Sequence, residues 1–272
     1  MNYCSDRYLG KGCCGKVRKG WYEGTSAAIK IIPCHKMDED DLKRECRVYA
    51  KLKHKNVVKL LGPPVKRKHN WHIPLQLIEG CTLEDLVFPS CTLSAAEKDH
   101  IILGMCKGLR YLHKKNIVHQ DLKPNNVMVE HATKRAVIID LGLAKFINYT
   151  ESRSPETSGQ NKGFHKYAAP EAHAGKIRTR RSDVWSMGKV IAEVLLKEML
   201  HWDDCTTKNI RKWLKRSRYA DIVPEMLHKH PDKRLSMDKV VRLVKSVKTA
   251  TKIECMSTLE FISLLEVHFW DY

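Results

Sequence analysis

The stretch His-Gln-Asp-Leu-Lys-Pro-Asn-Asn at residues 119–126 is the strongest functional signal in the chain. The carboxylate of Asp121 can orient a hydroxyl group and accept its proton, and the ammonium group of Lys123 can stabilise a transferring phosphoryl group. Asn126 offers an oxygen ligand for magnesium, and Asp140 follows across a predicted β-hairpin with a second one. The pattern predicts phosphoryl transfer, because this chemistry depends mostly on positioning and charge neutralisation.

A glycine-rich segment near the start of the chain has the spacing Gly-x-Gly-x-x-Gly, formed by Gly10, Gly12 and Gly15. The spacing is ambiguous by itself, because dinucleotide-binding folds have the same one. In those folds the glycines open a helix, whereas here an alternating strand continues from Val17. We therefore expect a strand-turn-strand whose backbone N–H groups face a triphosphate. An ordinary glycine hairpin is the alternative.

Lys30 lies within the apolar segment 27–32, which is predicted to be a strand. A lysine is rarely buried without a partner, and a phosphate or a carboxylate would serve. Glu45 is placed near the packed face of a predicted helix over residues 38–53, so we expect it to pair with Lys30. A solvated lysine and a surface glutamate are the alternative.

The hydrophobic pattern divides the chain into two parts near residue 80. Mostly strands are predicted before it, at residues 8–32, 56–62 and 71–78. Mostly helices are predicted after it, over 93–115, 182–199, 210–216, 222–229 and 237–247, with short strands over 126–129 and 136–139. In the basic stretch 208–219 we expect an amphipathic helix with Ile210, Trp213 and Leu214 facing inward, although a docking surface is the alternative.

Taken in order, these motifs resemble those of the eukaryotic protein kinases over nearly the whole chain. The matching residues are Gly10, Gly12, Gly15, Lys30, Glu45, 119–126, 140–142, 169–171, 183–188 and Arg234. The resemblance implies an α+β bilobal fold in a single domain over residues 1–272. It has a small, mainly-β N-lobe with one helix over 1–80, and a larger, mainly-α C-lobe over 81–272, with ATP in the cleft between the lobes.

The same resemblance implies roles for individual residues. Asp121 and Lys123 are the catalytic residues, and Asn126 and Asp140 are the ligands of Mg²⁺. The residues implied to bind ATP are Gly10, Gly12, Gly15, Val17, Ala28, Lys30, Glu45, Gln76, Ile78 and Met128. Structural roles are implied for the gatekeeper Leu75, for a spine of Leu60, Tyr49, Leu141 and His119, for a Glu171–Arg234 pair and for Asp183, which braces the catalytic loop.

The chain departs from the kinase pattern at three positions. Gln120 stands where the family usually has an arginine that binds a phosphate on the activation loop, so we expect activity that does not depend on loop phosphorylation. Leu141 replaces a phenylalanine, and a similar apolar role is expected. Phe164 replaces a threonine that normally bonds the catalytic aspartate and lysine, which bears on how a peptide is positioned.

Three functions follow as hypotheses. The position of Lys123 resembles that in the serine/threonine branch of the family, and every group needed for phosphoryl transfer is present. We therefore expect a protein serine/threonine kinase that acts on a protein substrate in intracellular signalling. A pseudokinase scaffold is favoured only by Gln120 and Phe164. Binding to nucleic acid is favoured only by the formal charge of +18, from 49 basic and 31 acidic residues.

The remaining features point to the cytoplasm, with the nucleus also accessible. The ten cysteines form no Cys-x-x-Cys pair, and the first residues contain no apolar signal core. We also expect no membrane-spanning segment. The apolar tail 259–272 is expected to pack on the domain or to bind a partner.

Overall fold

The computed structural model describes residues 8–11, 15–88, 92–147 and 166–254. Its N-terminal part is a five-stranded antiparallel sheet with the order β1-β2-β3-β5-β4. The strands are β1 (Tyr8–Lys11), β2 (Lys16–Tyr22), β3 (Thr25–Pro33), β4 (Val65–Arg67) and β5 (Asn70–Gln76). In the central strand β3, β-branched and small residues predominate, and its inner positions are buried against the rest of the lobe.

Helix α1 (Glu39–Ala50) packs against this sheet, where its Glu45 bonds Lys30 of β3. The side chain of Asp38 accepts a hydrogen bond from the Asp41 N–H group and so caps the first turn, where acidic residues also suit the helix dipole. The buried face contains Leu42, Glu45 and Tyr49, as the helical periodicity of the sequence predicts.

The prediction of a strand over residues 56–62 is wrong. This segment forms only isolated bridges, from Val57 to Ile138 and from Leu60 to Leu75. Its backbone bonds alternate between the two parts of the molecule, because the Val58 N–H group donates to the Ile138 carbonyl while the Leu61 N–H group donates to Pro74. A segment shared between two sheets in this way cannot form a continuous ladder with either one.

The C-terminal part is mainly helical. Its helices are α2 (Leu83–Val87), α3 (Ala95–Lys114), α4 (Pro170–His173), α5 (Arg180–Leu196), α6 (Thr207–Trp213), α7 (Val223–Met226) and α8 (Met237–Glu254). Two small sheets complete it, one of β6 (Gly80–Thr82), β8 (Val127–Glu130) and β9 (Ala136–Ile138), the other of β7 (Ile117–Val118) and β10 (Lys145–Phe146). The expected α+β bilobal fold is therefore confirmed.

Helices α3 and α5 lie at the centre of this lobe. All residues of α5 from Ser182 to Val194 are buried, as is typical of a helix surrounded by other elements. Each of the two helices starts with a capping box, formed by Ser94 and Glu97 in α3 and by Thr179 and Ser182 in α5. The centre of the lobe is thus a rigid base for the loops that precede and follow these helices.

Two further details of the sequence prediction need correction. Helix α7 is only four residues long rather than spanning 222–229, and it ends before the turn at residues 228–233. Trp213 does not face inward but is 40% exposed, because α6 ends at this residue while Ile210 and Leu214 fill the interior. In the part of the chain that the structure describes, no helix has the length and apolar character needed to cross a membrane.

Candidate active site

The side chain of Lys30 projects from β3 into the space between the two lobes. Its Nζ atom lies 2.8 Å from Glu45 Oε1 and 2.9 Å from Asp140 Oδ1. Burial by itself lowers the pKa of Lys30, but the acidic groups around it raise the pKa well above its ordinary value. The structure thus has the Lys30–Glu45 contact that the sequence predicts, and it holds a charged ammonium group beside Asp140.

Asp140 is held in an unusual backbone conformation at the edge of this cluster. Its φ of 56° lies in the left-handed region, and its Oδ1 atom also accepts a hydrogen bond from the Gly142 N–H group at 3.2 Å. Burial acts to raise the pKa of Asp140, but the charge of Lys30 and its hydrogen bond keep this pKa below its ordinary value. The carboxylate is therefore ionised, and the side chain of Asp140 is 30% exposed.

Two other side chains of the catalytic loop bind the carboxylate of Asp121. Its Oδ2 atom accepts hydrogen bonds from Lys123 Nζ at 2.8 Å and from Asn126 Nδ2 at 2.9 Å. Asn126 Nδ2 also donates to the backbone carbonyl of Asp121 at 2.7 Å. These bonds orient the Asp121 carboxylate, so a hydroxyl group brought to it would meet a fixed acceptor.

The base of the catalytic loop is attached to helix α5. Asp183, in the first turn of α5, accepts the Gln120 N–H group at 2.9 Å through Oδ1 and the His119 N–H group at 2.8 Å through Oδ2. Its Oδ2 atom also lies 2.9 Å from His113 Nε2. Asp183 therefore braces the loop, as the resemblance implies, and it is itself 1% exposed.

Two side-chain groups of the site offer oxygen atoms that are suitable ligands for magnesium. The amide nitrogen of Asn126 is used by Asp121, so its oxygen is the free end of the side chain. Asp140 adds an ionised carboxylate. A carboxylate and an amide oxygen are hard ligands of the kind that Mg²⁺ binds, so Asn126 and Asp140 fit the ion chemically.

Several of the residues predicted to bind a nucleotide lie on the strands of the N-terminal sheet. Ala28 pairs with Leu75 across β3 and β5, and Val17 pairs with Lys30 across β2 and β3. The Gln76 N–H group donates to the Lys59 carbonyl at 2.8 Å, so this group is already bonded within the protein. Ile78 is 5% exposed, and Met128 is half-buried in β8.

The glycines of the N-terminal loop differ in their surroundings. A Cβ atom on Gly15 would lie 2.1 Å from the Ile31 carbonyl oxygen, so this position needs glycine for the close approach of β2 to β3. A Cβ atom on Gly10 would meet nothing within 4 Å. Gly12 lies outside the described residues, as does Phe164 in the segment 148–165.

Comparison with known proteins matches residues 3–244 to the family model described as Protein kinase domain. The chain belongs to the protein kinase family. Among curated relatives, the Serine/threonine-protein kinase VIK of Arabidopsis thaliana is 29% identical over 72% of this chain and 46% of that protein. The SNF1-related protein kinase catalytic subunit alpha KIN12 of the same plant is 28% identical over 88% of this chain and 50% of that protein.

A protein of another organism is also similar. The RGS domain-containing serine/threonine-protein kinase A of Dictyostelium discoideum is 24% identical over 89% of this chain and 22% of that protein. The chain thus spans half or less of the length of these relatives. Protein kinases generally use ATP with Mg²⁺, which agrees with the oxygen donors in the cleft.

The Glu171–Arg234 pair expected from the sequence is present in this kinase domain. Arg234 donates to both oxygens of Glu171 at 2.7 Å, in the bidentate geometry that suits a guanidinium group. The four residues implied to form the spine lie in or against the core: Tyr49, His119 and Leu141 are almost fully buried, and Leu60 is half-buried.

One buried polar cluster of the kinase was missed by the sequence reasoning. Lys189 Nζ donates to Glu193 Oε1 at 2.9 Å inside α5, and the Tyr167 hydroxyl group donates to Glu193 Oε2 at 2.9 Å. Both charged side chains are 1% exposed. Their i, i+4 spacing within the largely apolar stretch 184–196 was the available signal. The cluster fixes Tyr167 just before the Ala-Pro-Glu motif at residues 169–171.

Proposed function

We propose that this kinase domain transfers the γ-phosphoryl group of ATP to serine or threonine hydroxyl groups of a protein substrate, in intracellular signalling. One observation carries the proposal. The Asp121 carboxylate is oriented by Lys123 and Asn126 on the loop that belongs to catalysis in this family. A proton acceptor held in this way is what a hydroxyl nucleophile needs.

Each group has a distinct part in the proposed reaction. Asp121 orients the substrate hydroxyl group and accepts its proton as the oxygen attacks phosphorus. Lys123 neutralises negative charge on the phosphoryl group during its transfer. Lys30, held by Glu45, binds the phosphates of ATP. Mg²⁺, when bound, neutralises phosphate oxygens, and Asn126 and Asp140 are the residues that would hold it.

The choice of serine or threonine rests on Lys123 and on relatives whose names are those of serine/threonine kinases. This choice is tested by identifying which amino acid carries the phosphate after transfer to a protein substrate that contains serine, threonine and tyrosine. Phosphotyrosine as the main product would contradict this choice while leaving the kinase activity in place.

The deciding experiment measures phosphate transfer from Mg-ATP to a generic basic protein. Asp121→Asn should lower the rate by at least about a hundredfold, because general base catalysis typically contributes that much. Asp203→Asn is the matched control, because the Asp203 side chain is exposed and pairs with His201 among the described residues, so this variant should transfer phosphate at the wild-type rate. Equal transfer by the wild type and Asp121→Asn, or none by either, would contradict the proposal.

A pseudokinase scaffold remains the second candidate, and Gln120 is the observation that favours it. A scaffold of this kind binds Mg-ATP without transferring phosphate. A rise in melting temperature with Mg-ATP, in a protein with no transfer activity, would support it, because a ligand that binds only the folded state stabilises that state.

We also propose that transfer does not depend on phosphorylation of the chain itself, because Gln120 has no charge with which to bind a phosphate. Treatment of the active protein with a phosphatase should leave the rate unchanged. Loss of activity after this treatment would contradict the proposal.

A further inference from the structure

The peptide unit between Gln120 and Asp121 is held from several sides. Its carbonyl oxygen accepts a hydrogen bond from Arg178 Nη1 at 2.7 Å, and its N–H group donates to His119 Nδ1 at 3.3 Å. The amide just before it, that of Gln120, donates to Asp183 Oδ1 at 2.9 Å. Arg178 lies in the connection between α4 and α5, 58 residues away along the chain.

This restraint matters because Gln120 has a φ of 70°. A side chain other than glycine is disfavoured in the left-handed region, so the loop can gain free energy by returning φ to negative values. That relaxation rotates the peptide unit that leads into Asp121. A hydrogen bond from outside the loop opposes the rotation, and a charged donor forms a stronger bond than a neutral one.

We infer that Arg178 is a positioning residue for phosphoryl transfer, an inference that rests on the proposed function. Its guanidinium group holds the Gln120 carbonyl and thereby fixes the backbone that carries the Asp121 carboxylate. The catalytic loop has Gln120 where the family usually has an arginine. Arg178 instead brings a positive charge to the backbone of this loop. Since Arg178 binds a backbone carbonyl, its effect needs no phosphate on the chain.

The matched comparison is with Arg180, two residues further along. Arg180 Nη2 donates to the side-chain oxygen of Asn116 at 2.6 Å, and Asn116 lies outside the catalytic loop 119–126. Both arginines are half-buried. Arg178→Ala and Arg180→Ala therefore remove the same charge and a similar hydrogen bond from one short segment, but only the first frees the Gln120 carbonyl.

The kinetic test measures kcat, the dissociation constant of Mg-ATP and the melting temperature of each variant. Arg178→Ala should lower kcat about tenfold, with Mg-ATP affinity unchanged, because the bond acts on the catalytic carboxylate. Arg178→Lys should recover part of kcat, and Arg180→Ala should keep it. An equal loss of kcat in Arg178→Ala and Arg180→Ala, or a loss that follows the melting temperature and ATP affinity, would overturn the inference.

A second measurement does not depend on activity. Hydrogen exchange of the peptide spanning residues 117–123 should become faster in Arg178→Ala and stay unchanged in Arg180→Ala. Adding Gln120→Asn to Arg178→Ala should restore part of the protection, because asparagine tolerates the left-handed region better. Unchanged exchange in Arg178→Ala would overturn the inference. If the wild type transfers no phosphate, the proposed function fails, and the exchange data still decide whether Arg178 holds this loop.

Discussion

The hydroxyl group of Tyr49 joins helix α1 to the segment that carries Asp140. It accepts the Leu141 N–H group at 3.1 Å, and the two residues are 92 positions apart. Tyr49 is 1% exposed, and burial raises the pKa of its hydroxyl group far above the ordinary value. A neutral acceptor at this depth serves a buried backbone donor that water cannot reach.

Tyr49→Phe should therefore destabilise the fold by about 1–3 kcal/mol, because it leaves the buried Leu141 N–H group without an acceptor. It should also weaken Mg-ATP binding, since Leu141 directly follows Asp140. Unfolding by denaturant and a titration with Mg-ATP measure the two effects.

Tyr111→Phe is the control for this prediction. The Tyr111 hydroxyl group also accepts a backbone N–H group, that of Lys53 at 2.9 Å, but the donor is exposed and water can replace the lost oxygen. This variant should lose less than about 1 kcal/mol and keep its affinity for Mg-ATP. Equal losses in the two variants would show that burial of the Leu141 amide is not the cause.

At the scale of elements, the Glu171–Arg234 pair connects three parts of the C-lobe. Glu171 lies in α4, Arg234 directly precedes the turn into α8, and Glu171 Oε1 also accepts the hydroxyl group of Ser182 in α5 at 2.8 Å. The side chain of Arg234 is fully buried. Burial acts to raise the pKa of Glu171, but its bonds with Arg234 and Ser182 keep this pKa below its ordinary value.

Arg234→Ala should lower the free energy of unfolding by about 3–5 kcal/mol, because it leaves Glu171 as a buried charge without its main partner. Arg211→Ala breaks the exposed pair with Glu225 and should cost less than about 1 kcal/mol. Denaturant unfolding of both variants measures the difference. Similar small losses in the two variants would mean that the buried pair contributes no more than a surface pair.

At the scale of the whole molecule, the net charge is +18, and several of the basic groups lie close together. A basic face brings together residues of α3, of α8 and of the segment after α1: His54, Lys55, His100, Lys107, Arg110, Lys245 and Lys248. Lys248 Nζ lies 2.9 Å from His100 Nδ1. Burial first, and then the charges of Lys55, Arg110 and Lys107, lower the pKa of His54. Burial first, and then the nearby lysines, lower the pKa of His100.

These histidines should make the stability depend on pH. Their pKa in the folded state lies below the ordinary value of about 6.5, so the unfolded chain binds protons first as the pH falls. The stability should be fully present above about pH 7 and should decrease below about pH 6.5. Replacing both His54 and His100 with Gln should flatten this decrease, as measured by unfolding between about pH 5.5 and pH 8.

His201→Gln is the control for this measurement, because His201 is exposed and lies outside the basic face. It should leave the dependence on pH unchanged. Added salt should reduce the decrease in the wild type, because it screens the lysines around the two histidines. A double variant that loses stability with pH as steeply as the wild type would refute this origin.

Helices could be predicted well from the sequence where a strong hydrophobic periodicity runs through one continuous segment. The apolar spacing within α1, α3 and α8 lies on single faces, so the helices were predicted with ends in error by only a few residues, except that α8 runs on to residue 254. The segment 56–62 could not be predicted in the same way, because its apolar residues form isolated bridges to two different sheets. Its pattern resembles that of a strand, although no neighbouring strand runs alongside it.

The sequence by itself placed Asp121, Lys123 and Asn126 within six residues of one loop, so their side chains had to lie near one another. The hydrogen bonds from Lys123 and Asn126 to the Asp121 carboxylate are known only from the structure. The sequence also predicted the contact of Lys30 with Glu45, through burial of a charge that needs a partner. Only the tertiary structure decided that Arg178 lies against the Gln120 carbonyl. That contact depends on how the segment before α5 packs against the catalytic loop. The local sequence pattern does not show the relative position of two segments so far apart in the chain.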